Sequence, residues 1–241
     1  MKRIRLTTGP RAFFGAAFVI ALIVFLPLRL AMGWFDLGNT GLTARQVSGS
    51  LWYGSLREAT FGGVALGDLR ARLSPVQLLV GRARVDLAGP GRESSRPFRG
   101  AIGVSRHSFG VDDLTATLPA GNVFAPVPVS SFDFDDFSVR FQDGNCQKAE
   151  GRVRATISGD LAGISLGQGM TGTARCDAGA LLLPLASQAG TETVALRLWG
   201  TGRFRGELTV QPGDPAAVEK LVLAGFQATP AGYTLSIEGR F

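Results

Sequence analysis

Beyond residue 35, apolar and polar residues alternate along many short segments of the chain. Val153, Ala155 and Ile157 lie between polar neighbours, and so do Leu208 and Val210. A period of two directs one face to a core and the other to solvent, which is typical of antiparallel sheet. The 33 glycines are about twice the usual ~7% and supply turns. The pattern predicts a mainly β domain, with a curled antiparallel sheet that forms a groove, an open barrel or a sandwich-like structure.

One of these segments changes phase. Phe132 and Phe134 share one face, whereas the apolar residues in 137–141 share a face that is one residue out of step. If both sets face the core, an extra residue must lie around Asp135-Asp136, which is what a β-bulge supplies. A bulge bends the strand, as a curled sheet requires. The sequence Asp143-Gly144-Asn145 then predicts a hairpin turn.

Two short helices interrupt the predicted strands. The segment 74–81 has a Ser at the cap position, a Pro at the first helical position and a Gly at the end, so it predicts one or two turns. Asp214-Pro215 opens the second helix, and Gly225 ends it. The polar, Pro- and Gly-rich stretch 89–97 predicts a loop or a boundary between two parts of the domain.

A single long apolar stretch precedes the alternating region. Residues 12–28 carry no charge, and Arg29 interrupts the stretch near its end. As a helix, residues 12–34 would reach roughly 35 Å, which is enough to cross a ~30 Å hydrocarbon core. The basic arm of residues 1–11 predicts a cytoplasmic N-terminus. We therefore expect one transmembrane helix over 12–34 and an exported domain over 35–241.

A cleavable secretory signal is the alternative interpretation of this segment. Ala31-Met32-Gly33 offers a small-x-small cleavage pattern. The apolar run is longer than the roughly 7–15 residues usual in a signal, and Arg29 lies between the run and the cleavage pattern, so an uncleaved anchor is favoured. Both interpretations export the domain.

Charge and cysteines agree with export. Of the 25 Lys and Arg residues, five lie in positions 1–29, where there is no acid; the remainder has 20 bases against 19 acids. The basic pI is therefore a topology signal and does not indicate a nucleic-acid-binding surface. Cys146 and Cys176 both lie in the exported part, where an even pair predicts a disulfide. Two unpaired buried thiols are the alternative.

Two motifs of enzymes occur, but their context does not support catalysis. Residues 167–172 match G-x-G-x-x-G, yet no helical pattern follows to hold a pyrophosphate. Residues 163–167 match G-x-S-x-G around Ser165, whereas the single histidine, His107, precedes the serine. We therefore predict that the protein is not an enzyme and uses no cofactor.

Charged residues leave two further alternatives open. The acidic residues Asp133, Asp135, Asp136 and Asp143 either supply oxygen ligands for a hard cation or mark the solvated side of a strand. Arginines also occur in pairs two residues apart: Arg70/Arg72, Arg82/Arg84, Arg152/Arg154 and Arg203/Arg205. Such pairs form either ordinary solvated faces or a surface for lipid head groups or an acidic partner.

The sequence from 47 to 55, VSGSLWYGS, follows soon after the apolar stretch and resembles the opening motif of the type II secretion system protein N family. Further matches follow in order, including LSPVQLLVGR at 73–82, both cysteines, and the Gly-aromatic pairs near the C-terminus. The motif residues that we single out are Gly49, Trp52, Gly54, Pro75, Gly225, Phe226, Gly232 and Tyr233. The resemblance spans nearly the whole chain.

The resemblance implies a single-pass inner-membrane protein with a periplasmic domain. It implies a non-enzymatic accessory role in the export of folded proteins across the outer membrane, through contacts with other inner-membrane secretion proteins. Membrane lipid would be contacted through the anchor, and nucleic acid would not be a partner. The alternative is a periplasmic lipid-handling or envelope-bridging protein whose curled sheet encloses an apolar groove.

Overall fold

The computed structural model describes residues 13–18, 21, 25–28, 42–61, 64–90, 97–120, 129–157, 160–161, 164–165 and 169–240. Residues 13–18 are helical, and two short helices follow, α1 (Pro75–Leu79) and α2 (Pro215–Leu223). The strands of the described part are β1 (Leu42–Thr43), β2 (Gln46–Gly49), β3 (Gly54–Phe61), β4 (Val64–Leu73), β5 (Ala83–Gly89), β6 (Phe98–Val104), β7 (Ser108–Pro119), β8 (Val129–Gln142), β9 (Asn145–Ile157), β10 (Asp160–Leu161), β11 (Ile164–Ser165), β12 (Gly169–Thr173), β13 (Arg175–Asp177), β14 (Ala180–Ser187), β15 (Glu192–Leu198), β16 (Arg203–Val210), β17 (Gln227–Thr229) and β18 (Gly232–Arg240).

Sixteen of the described strands form one antiparallel sheet. Its order is β1-β3-β4-β5-β6-β7-β8-β9-β12-β14-β15-β16-β18-β17, with β2 on β3 and β13 on β14, while β10 and β11 form a separate hairpin. The sheet does not close: β1 and β2 lie at one edge, and β17 and β18 lie at the other. The prediction of a mainly β fold with an antiparallel sheet is confirmed, and the sheet is open.

The core lies inside the curl of this sheet. The alternating residues Val153, Ala155 and Ile157 of β9 are buried, as predicted. Phe132 of β8 and Leu235 of β18 belong to strands far apart in the sheet order, yet they line the same small apolar gap. The sheet therefore curls back until its C-terminal strands face its middle strands.

The predicted bulge in β8 is confirmed. The pairing of β8 with β9 shifts between Asp135 and Ser138, and Asp136 adopts a φ of 49°. Phe137 and the apolar residues after it are buried, and Phe132 is buried as well, so both out-of-phase sets face the core. The backbone N–H of Asp136 donates to Oγ1 of Thr115 on β7, at 3.4 Å.

Two more bulges follow the same design but were not predicted. Glu58 on β3 and Asp113 on β7 have φ values of 49° and 53°, and the strand pairing shifts beside each of them. The N–H of Glu58 donates to a carboxylate oxygen of Asp68, at 3.0 Å, and the N–H of Asp113 donates to Oγ of Ser138, at 2.9 Å. Each bulge therefore uses an acidic residue whose N–H bonds a side chain of the next strand, and each increases the local bend.

The turn and helix predictions are also confirmed. Asp143 and Gly144 have φ values of 49° and 80°, so they form a two-residue turn of type I′, and Asn145 begins β9. Helix α1 begins at Pro75 and is followed by Gly81 with a φ of 76°. Helix α2 likewise ends before Gly225, whose φ is 89°.

Most of the predicted anchor and the basic arm lie outside the described residues. The side chains of the helical residues 13–18 are exposed. Among the helices that the structure describes, none has the length and apolar character needed to cross a membrane. Of the predicted boundary at 89–97, only 89, 90 and 97 are described, and the flanking strands β5 and β6 pair along their lengths.

Candidate interaction surface

The first group of motif residues builds the hairpin between β2 and β3. Gly49 pairs with Gly54, and the N–H of Ser50 donates to the carbonyl of Tyr53, at 3.0 Å. Gly49 has a φ of 92°, and a Cβ there would lie 2.3 Å from the carbonyl oxygen of Tyr53. Glycine is therefore required at 49 to close the loop tightly. Trp52 lies in this loop and is half-buried.

The N-terminal segment contacts this same loop. The N–H of Leu51 donates to the carbonyl of Leu26, at 2.9 Å, and Pro27 forms a bridge with Ser50. A Cβ at Gly54 would lie 2.2 Å from Cδ2 of Leu28. The second glycine of the motif therefore leaves the space that Leu28 occupies.

The second group of motif residues holds the C-terminal part of the sheet. Phe226 is buried, and its N–H donates to the carbonyl of Leu221 in α2. Gly232 has a φ of 131°, and a Cβ there would lie 2.7 Å from the carbonyl oxygen of Val210. Tyr233 pairs with Val210 of β16. These residues, with Gly225, fix α2 and β17 beside the start of β18.

The predicted disulfide is present. Cys146, near the start of β9, bonds to Cys176 in β13, with a Cα–Cα distance of 5.5 Å. The two residues are 30 positions apart, so the bond closes a loop that contains β10, β11 and β12. The alternative of two unpaired thiols is thereby excluded.

The hydrogen bonds of β16 determine which backbone groups of β18 point toward the sheet and which point away from it. Trp199 N–H donates to the carbonyl of Arg203, and Gln211 N–H donates to the carbonyl of Thr191. In an antiparallel pair, alternate residues direct both backbone groups to the same neighbour. The odd-numbered residues of β16 therefore bond to β15, and the even-numbered ones bond to β18.

The outer edge of β18 is open. The even-numbered residues of β16 pair with Tyr233, Leu235, Ile237 and Gly239, so the even-numbered residues of β18 direct their backbone groups away from the sheet. On that side β17 pairs only with residues 232–234. The backbone groups of Ser236, Glu238 and Arg240 consequently have no strand partner within the part of the chain that the structure describes.

The polar face beside this edge carries a ladder of alternating charges. Arg197 lies 3.4 Å from a carboxylate oxygen of Asp177 and 3.2 Å from one of Glu207. Arg205 lies 2.8 Å from Glu207 and 3.6 Å from Glu238 of β18. Each such surface pair contributes little to stability, about 0–1 kcal/mol. The ladder does, however, orient the side chains that lie next to the open edge.

The arginine pairs predicted from the sequence separate into different environments. Arg84, Arg152 and Arg205 form ion pairs across the polar face. The guanidinium of Arg72 lies 5.0 Å from the ring centroid of Tyr53, and that of Arg203 lies 5.5 Å from the ring centroid of Trp199. Much of this charge therefore belongs to local contacts within the sheet.

The residues considered for catalysis are not brought together. His107 lies in the exposed turn before β7, with Nδ1 3.3 Å from a carboxylate oxygen of Asp143. Ser165 lies in the β10–β11 hairpin, which follows the opposite end of β9. The 13 residues of β9 span roughly 40 Å at about 3.3 Å each. Residues 169–172 of the G-x-G-x-x-G match lie in strand β12, where no helix begins.

The acidic residues of β8 have other partners. Asp133 accepts a hydrogen bond from the hydroxyl of Thr117, and Asp135 lies 3.0 Å from Arg152. Asp136 occupies the bulge and Asp143 the turn. No three potential metal ligands converge among the described residues.

The apolar gap between the middle and the C-terminal strands is small. The gap between β8 and the C-terminal strands has a volume of about 30 Å³. That volume is comparable to the space of one water molecule, whereas pockets for larger ligands have about 300–1,000 Å³. Where β8 faces the C-terminal strands, the described part of the sheet thus encloses packed side chains.

The comparisons with known proteins agree with the residue pattern. The model of the family "Type II secretion system (T2SS), protein N" matches residues 40–236, which include nearly all of the sheet. The chain is 28% identical over 178 residues to the type II secretion system protein N of Vibrio cholerae, and the alignment covers 69% of each chain. No solved structure matches the chain. The chain belongs to the type II secretion system protein N family.

Proposed function

We propose that this protein is a non-enzymatic accessory component of the type II secretion system that binds another secretion protein through the open edge of β18. The apolar segment that begins at residue 12 anchors it in the inner membrane with the basic arm in the cytoplasm, residues 26–28 lie against the β2–β3 hairpin, and the sheet lies in the periplasm. Family membership supports a place in the secretion machinery. The observation that carries the docking site is the backbone of Ser236, Glu238 and Arg240, which has no strand partner among the described residues.

An open strand edge is a template for an added strand. Its N–H and C=O groups supply the main-chain hydrogen bonds, and the side chains on the two faces supply specificity. On the inner face, Leu235 and Ile237 pack against the core, so an added strand would extend that apolar face. On the polar face, Glu238 is held by Arg205. The partner strand would therefore carry apolar residues on one side and polar residues on the other.

The lipid-handling alternative is less well supported by the packing. It requires an apolar interior that accepts an acyl chain, and the gap between β8 and the C-terminal strands is only about 30 Å³. Phe137 and Phe141, the inward positions where a lipid probe should react, are buried among core side chains. Lipid adducts at these two positions in gently extracted protein would favour the alternative.

The edge contact is tested with a proline on β18. Ser236→Pro removes an N–H that points away from the sheet, and proline is tolerated on strand edges. We expect the full-length variant, expressed in its own membrane, to recover roughly tenfold less of its inner-membrane secretion partners on co-purification, because a strand hydrogen bond is lost and the ring blocks the edge. Ser236→Ala, which keeps the backbone donor, should behave as the wild type.

A second proline checks that the effect belongs to the edge. Ile237→Pro removes an N–H directed at Gly206 of β16, so it should lower the melting temperature, whereas Ser236→Pro should change it little. Unchanged partner recovery with Ser236→Pro would exclude this edge as the docking site. A clean deletion of the gene that left the export of every substrate intact would contradict the accessory role itself.

A further inference from the structure

We propose that the sheet end formed by the connections 50–53, 72–82 and 104–108 rests on the head groups of an anionic membrane. This surface, which we call the basic end, is independent of the open edge of β18. It lies on the first strands of the sheet, and the observations that support it are its exposed apolar side chains, its charge, and the position at which the N-terminal segment reaches the sheet.

The three connections meet at one end of neighbouring strands. Gly54 at the start of β3 pairs with Ala71 near the end of β4, and Leu73 pairs with Val85 near the start of β5. Val104, at the end of β6, pairs with both Ala83 of β5 and Phe109 of β7. Adjacent strands lie about 4.8 Å apart, so these five strands present an end roughly 20 Å wide.

Apolar side chains are exposed at this end. They are Tyr53, Val76, Leu78, Val80, Val104 and Phe109. Val76 lies in α1 and Val80 directly follows it, and they are 71% and 73% exposed. A cluster of this kind on a soluble surface marks a contact with a protein or a membrane.

The charge of the basic end is mainly positive. Its connections contain Arg72, Arg82, Arg106 and His107 and no acidic residue. Asp143 of the adjacent β8–β9 turn lies 3.3 Å from His107, so the three arginines supply the net charge. Arginine stems cover apolar surface while their guanidinium groups reach phosphates. Apolar side chains between such arginines are typical of surfaces that lie at the boundary of head groups and acyl chains.

The N-terminal segment arrives at the same place. Leu26, Pro27 and Leu28 contact the loop 50–53 and Gly54, which form one side of the basic end. The preceding residues 13–18 form a helix of apolar residues whose side chains are all exposed. A membrane that receives this apolar segment would therefore lie against the basic end, and this continuity favours lipid over a protein as the occupant.

Leu223 at the end of α2 provides a matched control. It is 82% exposed and apolar, but it lies in the connection between β16 and β17, at the opposite end of the strands. Its neighbourhood includes Glu219 and Lys220, so it lacks the excess of positive charge. If exposure alone produced lipid contact, Leu223 would be labelled as strongly as Val80.

The test uses the full-length chain in nanodiscs of phosphatidylethanolamine and phosphatidylglycerol. The photoreactive residue p-benzoylphenylalanine replaces Val80, Phe109 or Leu223 in turn, and lipid adducts are quantified by mass spectrometry. We expect adducts at Val80 and Phe109 to exceed those at Leu223 at least fivefold. Equal yields at the three positions, or adducts at Leu223 alone, would overturn the proposal.

Charge supplies a second measurement. Each arginine at an anionic surface strengthens binding about fivefold, so the Arg82→Glu/Arg106→Glu variant should lose most of the adducts at Val80. Omitting phosphatidylglycerol should have the same effect, while the melting temperature should stay that of the parent because both side chains are exposed. If neither the double substitution nor the omission of phosphatidylglycerol reduced the lipid adducts at Val80, recognition of anionic head groups would be excluded. Protein cross-links at Val80 in native membranes, without lipid adducts in nanodiscs, would identify a protein as the occupant instead.

Discussion

Deleting Asp136 is expected to unfold the domain, whereas replacing it is not. Asp136 is the additional residue that lets the apolar residues before and after it face the same core. A deletion leaves β8 with a strict period of two, so one of the two apolar sets must turn to the polar face. A substitution changes the chemistry of the bulge and keeps the residue count.

The size of the effect follows from the residues that change sides. Phe137, Val139 and Phe141 are only 5%, 7% and 6% exposed. Burial of a large apolar side chain contributes about 1.5–3 kcal/mol, so exposing three of them removes roughly 5–9 kcal/mol. Domains of this size are stable by about 5–15 kcal/mol. The deletion therefore removes most or all of the free energy of unfolding.

Urea unfolding of the detergent-solubilised full-length chain, followed by circular dichroism, measures the ranking. Asp136→Gly should remain within about 1 kcal/mol of the wild type, because glycine adopts a positive φ readily. Asp136→Val should lose about 1–3 kcal/mol, since a β-branched residue is strained at a φ of 49°. A deletion variant as stable as Asp136→Val would refute the argument that the bulge sets the register.

Two further changes test other parts of the sheet. Reduction of the disulfide between Cys146 and Cys176, 30 residues apart, should lower the melting temperature by roughly 10 °C, since closing such a loop contributes about 3.5 kcal/mol; an unchanged value in calorimetry would contradict this. Gly172→Ala should destabilise the domain by about 1–3 kcal/mol or more, because the added Cβ would lie close against the carbonyl oxygen of Pro184. Gly169→Ala is its control, because the added Cβ meets open space there. Equal urea midpoints for the two variants would contradict the prediction, because they would show that β12 and β14 can move apart at Gly172 without loss of stability.

The three bulges show which parts of the fold the sequence pattern could predict. The change of phase at Asp136 was predictable because the phenylalanines before and after it clearly identify the core-facing positions of the strand. The same slip occurs between Leu56 and Ala59 and between Val111 and Leu114, around the bulge residues Glu58 and Asp113. These were missed because smaller residues mark the core face less clearly. An acidic residue at the point where apolar alternation slips is the signal that would have found all three.

The open edge could not be predicted in the same way. The alternation of apolar and polar residues identifies strands and their faces. It does not specify which strands are neighbours or whether the first strand of the sheet pairs with the last. The local hairpins could be read from turns such as Asp143-Gly144, whereas the facing of β8 and β18 across the core depends on bends summed over many strands. The contact of Leu28 with the β2–β3 hairpin was likewise missed, because residues 25–28 were assigned to the membrane.

Helix α2 and strand β17 lie beside the start of β18. Leu221 and Phe226 are buried in the core, and β17 pairs with the start of β18. Beyond residue 234 no described element covers the outer edge, although the inner face of β18 remains packed against the core through Leu235 and Ile237. Because β18 packs against the core and pairs with β16 on one side, it keeps its conformation without a strand partner on the other side. The open side of β18 is therefore a preorganised site, and a partner strand that pairs with it need not order the strand that receives it.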